Sequence, residues 1–391
     1  MTTPRFSRTE IVDTASLAAA TETISKQHSI HQPTLIIGSG LLGASIGLGL
    51  RSAGIEVLLS DPSPSAQAVA EDIGAGRGLT DQDQPGTVVV AAPPDVTGEE
   101  VIKALQRWPE AVVLDIASVK GAIAEELSAA FDAGRINGDD TKRYIGTHPM
   151  AGRERSGPVA ARGELFTAAP WVLCPRDETP QFVIDTASDV ARLLGATIYH
   201  MTAEEHDGAV AQISHLPQIA ASLLASRLQD TSAQALQLAG NGLRDTTRIA
   251  ASDGSLWVQI LTANASQILP QLHGMKEDLD RLIHTLSQPF DAGSRLDVAQ
   301  LMHEGNRGQA RIPGKHGGPA ESFALVTVLV DDAPGSIVSA LQAVADVGVN
   351  VEDLRMEHSS GYQVGMLEIA VVPGQKQHLV DSLTDLGWKV L

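Results

Sequence analysis

A histidine after a short apolar run is the residue of this chain best suited to proton transfer. In the segment YIGTHP, His148 precedes Pro149, and a residue before proline is biased toward an extended backbone. Ser118 ends the apolar run AVVLDIAS, and the carboxyl ends of parallel strands meet at one sheet edge. An imidazole at that edge can take a proton from a substrate hydroxyl while a hydride leaves the carbon that bears this hydroxyl. Base catalysis of this kind raises the reaction rate by roughly 10²–10⁴-fold. The alternative is a histidine that only ends a loop.

The segment GSGLLG has the G-x-G-x-x-G pattern of a dinucleotide-binding turn, between an apolar run and a helical pattern. Gly38 allows the tight turn, Gly40 lets the backbone approach a pyrophosphate, and Gly43 lets the helix pack close to the strand. The helix N-terminus favours the phosphate charge. The predicted cofactor contacts of this turn are Gly38, Ser39, Gly40, Leu41, Leu42 and Gly43.

Asp61 ends the second apolar run, 18 residues after Gly43. A carboxylate there accepts hydrogen bonds from the adenosine ribose hydroxyls and repels a 2′-phosphate, which favours NAD over NADP. Ala92 and Pro93 end another run and are expected to form a wall beside the nicotinamide. The alternative is a glycine-rich turn without a ligand, but the strand, glycines, helix and acid all agree on a cofactor site.

Two arginines of the segment GNGLRDTTRIAASDGSLW are candidates for binding an anion. Arg244 and Arg248 have the i,i+4 spacing that places both on one helix face, where like charges repel by a few tenths of a kcal/mol. An anion between them, or the carboxylate of Asp245, would relieve this repulsion. The alternative is a solvated charged face.

Pro217 lies inside another helical stripe, AQISHLPQIAA. Its ring clashes with the carbonyl of Ile213 and leaves that carbonyl without its helical donor. A kink there would present Ser214, His215 and Gln218 irregularly, which suits a pocket. The alternative is an ordinary kink under a packing constraint.

The elements that position these residues form several regions. Residues 32–180 alternate apolar runs and helical patterns, which predicts an α/β Rossmann-type parallel sheet domain. Residues 181–290 have helix-period stripes rich in Ala and Leu, which predicts an all-helical domain for substrate binding and dimerisation. Residues 291–321 are interpreted as a linker, and residues 322–391 show the order βαββαβ of a small α+β ferredoxin-like domain. Residues 1–31 are an N-terminal extension.

Composition excludes several function classes. The formal net charge of −19 makes nucleic-acid and anionic-membrane partners poor candidates, since both need clustered Lys and Arg. The single cysteine permits no internal disulfide, and the first 30 residues lack a signal peptide's apolar core, so a cytoplasmic protein is expected. No transmembrane helix and no metal site are predicted.

The motifs in this order resemble those of the prephenate/arogenate dehydrogenases of tyrosine biosynthesis. The resemblance covers residues 34–288 and rests on the glycine motif, DIASVKG, GTHPMAGRERSG, ISHLPQ and GLRDTTRIAASDGSLW. Of these, HPMAG followed by Glu154 and Gly157 is the most specific. The last 70 or so residues resemble an ACT domain, with DDAPG in the first strand–helix turn.

This resemblance implies NAD-dependent oxidation of prephenate at ring C4, with loss of CO₂, to give 4-hydroxyphenylpyruvate. It implies that His148 is the base, that Ser118 supports the C4 hydroxyl and His148, and that Arg248 binds a substrate carboxylate. Glu154, Ser214 and Arg244 are carried over as pocket or gating residues. The family's helical domain forms a homodimer.

Position 218 departs from the pattern of several prephenate-using members, which have histidine there. Gln218 can hydrogen-bond either a keto group or the amino-acid end of arogenate, so an arogenate or dual-specificity cyclohexadienyl dehydrogenase stays an alternative. A β-hydroxyacid dehydrogenase would share both domains but usually uses a lysine. A non-catalytic NAD and amino-acid sensor would lack His148 or Arg248, and both are present.

ACT domains commonly bind an amino acid near the first strand–helix turn. The corresponding positions here are Asp331, Pro334, Gly335 and Asn350. The resemblance therefore predicts that tyrosine or phenylalanine binds there and alters activity. The alternative is a domain kept only for oligomerisation.

Overall fold

The computed structural model describes residues 28–151, 157–313, 323–358 and 364–391. These residues form two compact units. The first unit comprises the described chain up to Ala233 together with Thr246–Gly274. The second comprises Gln234–Asp245 and Met275–Leu391.

An eight-stranded sheet forms the centre of the first unit. Its strands are β1 (Thr34–Ile37), β2 (Val57–Ser60), β3 (Arg77–Gly78), β4 (Thr87–Val90), β5 (Val112–Asp115), β6 (Tyr144–Pro149), β7 (Pro170–Cys174) and β8 (Thr197–His200). The spatial order is β3-β2-β1-β4-β5-β6-β7-β8. The chain therefore leaves β1 toward one side of the sheet and later returns to its other side with β4. The resulting switch point between β1 and β4, at the carboxyl ends of the strands, is where open α/β sheets bind ligands.

The apolar runs form central strands because both of their faces are buried. Along β1, Leu35 packs into the core on one face and Ile36 into the core on the other, and both are fully buried. Helices cover both faces, as in other sheets of this kind. These helices are α1 (Leu41–Ser52), α2 (Pro64–Asp72), α3 (Pro94–Arg107), α4 (Gly121–Asp132), α5 (Gly138–Lys142) and α6 (Gln181–Leu193).

The sheet domain extends further along the chain than the predicted residue 180. Helix α6 buries Val183, Ala187 and Val190 in the same core as β1, and β8 pairs with β7. Helical periodicity identified α6 correctly but could not tell whether its apolar face packs on a sheet or on other helices. The sheet is also mixed rather than wholly parallel, because β7 runs antiparallel to β6.

Helices follow the sheet, as predicted. They are α7 (Ala203–Val210), α8 (Leu216–Ser226), α9 (Ala233–Leu236), α10 (Asn241–Thr247), α11 (Gly254–Ala263) and α12 (Ala265–Ser287). The irregularity expected at Pro217 takes the form of a π-helical turn, Ala211–His215, which leads directly into α8. Pro217 has no N–H to donate, so the regular α-helical hydrogen bond is missing there. The wider π-helical turn accommodates this loss.

Residues 291–321 contain a helix where the sequence was interpreted as a linker. Helix α13 spans Ser294–Gln309, and residues 314–322 lie outside the described part of the chain. Arg281 of α12 lies 3.2 Å from Glu304 of α13, and Thr285 donates to Asp297 at 3.4 Å. The glycines of this segment disfavour a helix, but the contacts of α13 with α12 stabilise it.

The C-terminal residues have the predicted βαββαβ order. The elements are β9 (Ala324–Asp331), α14 (Ser336–Asp346), β10 (Asp353–His358), β11 (Val364–Val371), α15 (Lys376–Asp385) and β12 (Lys389–Val390). The four strands form an antiparallel sheet in the order β10-β11-β9-β12. Val328 and Ile369 of this sheet and Leu379 of α15 are buried in one core. Within the described ranges, no helix is both long enough and apolar enough to cross a membrane.

Candidate active site

The glycine turn after β1 fits a bound dinucleotide in its backbone geometry. Gly38 has φ +101, and a Cβ on it would lie 2.4 Å from the carbonyl oxygen of Ala91. A Cβ on Gly43 would lie 1.9 Å from the carbonyl oxygen of Gly38. Neither position can hold a side chain without displacing backbone, so the strand, the turn and α1 are in close contact at the switch point between β1 and β4.

The middle of the same turn is open and offers hydrogen-bond donors. A Cβ on Gly40 would meet no atom within 4 Å, and Gly40 is the N-cap of α1 without any side-chain cap. The Ser39 hydroxyl is buried and has no hydrogen-bond partner within the described structure. Leu41 and Leu42 form the first turn of α1. Free N–H groups at a helix N-terminus and an unsatisfied hydroxyl are what a pyrophosphate needs, so the predicted residues fit the cofactor.

Asp61 follows β2 and lies against the glycine turn. Its carboxylate accepts the Ser39 N–H at 2.5 Å and the Ser63 N–H at 2.8 Å. Each carboxylate oxygen has a second lone pair, which leaves Asp61 able to accept from ribose hydroxyls. Ala92 and Pro93 follow β4; Ala92 is half-buried with its backbone beside Gly38, and Pro93 is exposed. The predicted cofactor residues therefore meet at one place.

His148 lies in β6 at the same edge of the sheet, with 9% of its surface exposed. Its Nδ1 lies 2.8 Å from Nε2 of His206, and the two rings meet edge to face with centroids 5.1 Å apart. Burial lowers the pKa of His148 well below its ordinary value, and the nearby His206, Lys120 and His215 lower it further. The ring is therefore neutral near pH 7, as a proton acceptor must be.

His206 is held in turn by the carboxylate of Asp207, whose Oδ1 lies 2.8 Å from Nδ1 of His206. Asp207 also accepts two backbone N–H bonds at the start of α4, from Lys120 at 2.9 Å and from Gly121 at 2.7 Å. Burial alone would raise the pKa of Asp207, but the hydrogen bonds from His206 and from the two N–H groups lower it. The carboxylate is ionised and accepts only.

A buried ion pair lies next to this chain of groups. Lys120 is 2% exposed, pairs with Asp115 and donates to the carbonyl of Thr147 at 2.7 Å. The Tyr144 hydroxyl donates to Asp115 at 2.7 Å, and burial, followed by the charge of Asp115, raises the pKa of Tyr144. Both charges are thus satisfied, as buried ions must be. The position of Lys120 behind β6 explains part of the lowered pKa of His148.

A second group of polar residues surrounds a cavity of about 320 Å³ in the helical segments of the first unit. Gln218 is buried and makes two long hydrogen bonds, to the Ser222 hydroxyl at 3.4 Å and from the Ser252 hydroxyl at 3.5 Å. Trp257 also lines the cavity, and its ring meets His215 edge to face at 6.0 Å. A larger open cavity, about 650 Å³, lies beside Arg143, which precedes β6. It is therefore at the amino ends of the strands, away from His148 and the glycine turn.

His215 connects the cavity to the histidine pair. Its Nδ1 accepts from the Asn264 amide at 3.1 Å, and the same amide donates to the carbonyl of Asp207 at 2.9 Å. Burial lowers the pKa of His215 to about 4, and the ring is neutral at pH 7.

The other predicted site residues have no described contact with the glycine turn or with His148. Ser118 is half-buried in the loop between β5 and α4, and Ser214 lies in the π-helical turn. Arg244 lies in α10, but that helix ends at Thr247 and Arg248 opens a 3₁₀ turn, so the two arginines do not share one α-helical face as expected. Glu154 lies outside the described residues.

Sequence reasoning missed five residues of this site: Asp115, Lys120, His206, Asp207 and Asn264. The segment AEEHDG carries an adjacent histidine and aspartate, but it lies 58 residues from His148 and looks like an exposed helix start. Only the packing of α7 against α4 shows its role. No group of three or more potential metal ligands occurs among the residues with described positions.

Comparison with protein families gives two adjacent matches. Residues 46–200 match the model described as the nucleotide-binding domain of prephenate dehydrogenase, and residues 202–302 match its dimerization domain. The border between the matches falls at the end of β8, the last strand of the eight-stranded sheet. The first match begins three residues after Gly43, so the glycine turn is identified by geometry rather than by this match.

Individual proteins similar to this chain are prephenate or arogenate dehydrogenases. The probable prephenate dehydrogenase NovF of Streptomyces niveus is 33% identical over 364 residues, 90% of this chain and 98% of that protein. Synechocystis arogenate dehydrogenase is 29% identical, with a TM-score of 0.57 over 71% of this chain and 99% of that one. Aquifex aeolicus prephenate dehydrogenase, in complex with hydroxyphenyl propionate and NAD⁺, is 25% identical, with a TM-score of 0.61 over 70% and 97%.

The glycine turn allows a paired test of cofactor binding. In Gly40→Ala we expect an unchanged melting temperature, since the added methyl group meets no protein atom, but an NAD Kd raised at least about tenfold because the methyl group blocks the pyrophosphate. In Gly43→Ala we expect both weaker NAD binding and a loss of about 1–3 kcal/mol of stability from overpacking. Calorimetric NAD titration and thermal unfolding measure the two effects. Wild-type NAD affinity in Gly40→Ala would contradict the placement of the pyrophosphate.

Proposed function

The chain belongs to the prephenate dehydrogenase family, and we propose that it catalyses the oxidative decarboxylation of prephenate to 4-hydroxyphenylpyruvate. It is an NAD-dependent oxidoreductase of that family. The observation that carries the proposal is His148, neutral and buried at the carboxyl edge of the sheet that bears the cofactor turn. This position supports a base and a hydride acceptor at the same rim of the sheet.

The chain's own residues have defined tasks in this proposal. His148 accepts the proton of the C4 hydroxyl, with Ser118 supporting that hydroxyl from the loop after β5. NAD, held by the glycine turn and Asp61, would supply the acceptor for the hydride of C4. The bond between the ring and its carboxylate then breaks, its electron pair enters the ring, and CO₂ leaves as the ring becomes aromatic. Arg248 binds a substrate carboxylate, and Glu154, Ser214 and Arg244 are proposed as pocket or gating residues.

Arogenate is the alternative substrate, and Gln218 is the residue that favours considering it. Its two hydrogen bonds are long, so its amide is free to turn and present either N–H or C=O to a ligand. An N–H suits the ketone of prephenate, and a C=O suits the ammonium of arogenate. An enzyme acting on both, a cyclohexadienyl dehydrogenase, is the intermediate case.

The C-terminal residues are proposed to be an ACT domain that binds an aromatic amino acid. Asp331 ends β9, and Gly335, with φ +91, begins α14 after Pro334. Asn350 lies in the loop before β10 and donates to Glu352 at 2.7 Å. All four proposed contact residues are exposed and follow the strand–helix and helix–strand turns of the βαββαβ order.

The assembly and location are proposals as well. The match to a dimerization domain over residues 202–302 supports a homodimer. The single, buried Cys174, whose pKa burial raises to about 12, is consistent with the proposed cytoplasmic location.

The base is tested by His148→Asn. We expect kcat to fall by about 10²–10⁴-fold, because asparagine cannot take the proton, while the NAD Kd stays within about threefold. Steady-state NADH formation and calorimetric NAD titration measure the two quantities. Wild-type turnover by this variant would contradict the role of His148.

The substrate is tested by NADH formation with prephenate and with arogenate, each with NAD and with NADP. We expect kcat/KM to be highest for prephenate with NAD. In Gln218→Glu we expect kcat/KM for prephenate to fall at least about tenfold relative to arogenate, because a carboxylate offers no N–H to a ketone and attracts an ammonium. Gln212→Glu, an exposed change of the same charge outside the cavity, is the control.

A wild type that strongly prefers arogenate would make the chain an arogenate dehydrogenase. No turnover of either compound would contradict the proposed function.

The regulatory proposal is tested by calorimetry of the full chain with tyrosine and with phenylalanine. We expect one of them to bind and to change kcat or KM, and Asn350→Ala to weaken that binding at least about fivefold through loss of a polar contact. Gln342→Ala, an exposed change on α14 of the same module, should bind as the wild type does. If neither amino acid binds, the module serves assembly only.

A further inference from the structure

The structure provides His148 with a partner that no comparison assigns. We propose that Asp207 and His206 act as positioning residues that fix the tautomer of His148 with its proton on Nδ1 and its lone pair on Nε2, facing the substrate. The proposal rests on the base role of His148 given above. It deepens that role by naming which nitrogen accepts the proton and why.

The tautomer follows from the fixed end of the chain of contacts. Oδ1 of Asp207 accepts the Lys120 N–H, Oδ2 accepts the Gly121 N–H, and an ionised carboxylate offers no donor. Nδ1 of His206, 2.8 Å from Oδ1, must therefore carry a proton. In the neutral ring, Nε2 of His206 is then the acceptor.

The same logic continues to the base. Because Nε2 of His206 is an acceptor, Nδ1 of His148 at 2.8 Å must be the donor. The neutral His148 ring has one proton, so its Nε2 holds a free lone pair. The opposite tautomer of His148 would place two lone pairs against each other in a buried site, which costs the unsatisfied groups about 1–3 kcal/mol.

Burial prevents water from replacing these contacts. His206 is fully buried and Asp207 is 4% exposed. Asn264 holds the backbone carbonyl of Asp207, and the capping box formed by Thr202 and Glu205 fixes the start of α7. The pair is thus set before substrate binds, as general-base sites with an oriented imidazole require.

The pair also accommodates the charge that forms on His148. When Nε2 takes the substrate proton, Nδ1 donates more strongly to His206, which is backed by the carboxylate of Asp207. Among the residues whose positions are described, the other ionisable groups that affect His148 are Lys120, paired with Asp115, and His215. Of these, Lys120 opposes the imidazolium, so the hydrogen bond to His206 offsets part of that opposition.

Two isosteric substitutions separate the two contacts of His206. Glutamine places its amide near the position of Nε2 and can accept from His148, whereas asparagine places its amide near Nδ1 and keeps only the contact to Asp207. We expect kcat of His206→Asn to fall about 10²-fold and that of His206→Gln to stay within about tenfold of the wild type. KM and the NAD Kd should stay within about threefold in both. His200→Gln, an exposed histidine on β8, is the control and should leave activity unchanged.

The pH profile gives a readout that a packing defect would not move. Loss of the acceptor lowers the pKa of His148 further, so the acidic limb of kcat/KM in His206→Asn should lie at lower pH than in His206→Gln. An acidic limb at higher pH in both variants than in the wild type would show that the His206 side chain repels a protonated His148, which would overturn the proposed hydrogen-bond direction. Equal kcat in the two variants would overturn the positioning role.

A direct measurement is independent of turnover. In the ¹⁵N NMR spectrum of histidine-labelled full chain, the signals lost in His148→Asn identify that ring. We expect an unprotonated Nε2 and a protonated Nδ1 near pH 7. The reverse pattern would overturn the proposal even in an active enzyme, and the expected pattern in a chain inactive toward both substrates would place the failure in the proposed function instead.

Discussion

The carboxylate of Asp207 is the interaction on which the candidate active site depends. It caps the start of α4 from a different helix, since α4 has no side-chain cap of its own and its first N–H groups need acceptors. This contact joins the helical segment after β8 to the loop that follows β5. The same carboxylate holds His206, and His206 holds His148. A requirement of helix ends therefore determines where the base sits.

The parallel sheet supplies the other constraint. Its central strands β1, β4 and β5 are buried on both faces and are mainly apolar, and the one ionisable residue in them, Asp115, lies at the carboxyl end, where loops begin. Asp61 and His148 lie at that edge, and Gly38 lies against Ala91 at the switch point. The order of the strands thus brings the glycine turn and His148 to the same edge, although they lie far apart in the sequence.

Local patterns predicted the parts of the molecule that local rules govern. The glycine turn, Asp61, the strand before His148 and the βαββαβ order follow from periodicity and steric rules acting over a few residues. The border at residue 180 was wrong because an amphipathic stripe does not say whether its partner is a sheet or a helix. The helix Ser294–Gln309 was missed because it is supported by contacts to α12 rather than by a buried stripe. His206 and Asp207 could not be found, since His148, the partner of His206, lies 58 residues away and Lys120, a partner of Asp207, lies 87 residues away.

The balance of charge around His148 explains how a buried imidazole can still act as a base. Burial keeps it neutral before the reaction, which is useful, but a base that resists protonation too strongly is ineffective. Lys120 is paired with Asp115 but still lowers the pKa of His148. Asp207 is then the remaining carboxylate of the described cluster, and it lies behind His206 rather than against His148. At that distance it favours the imidazolium in the transition state without forming an ion pair that would protonate His148 beforehand.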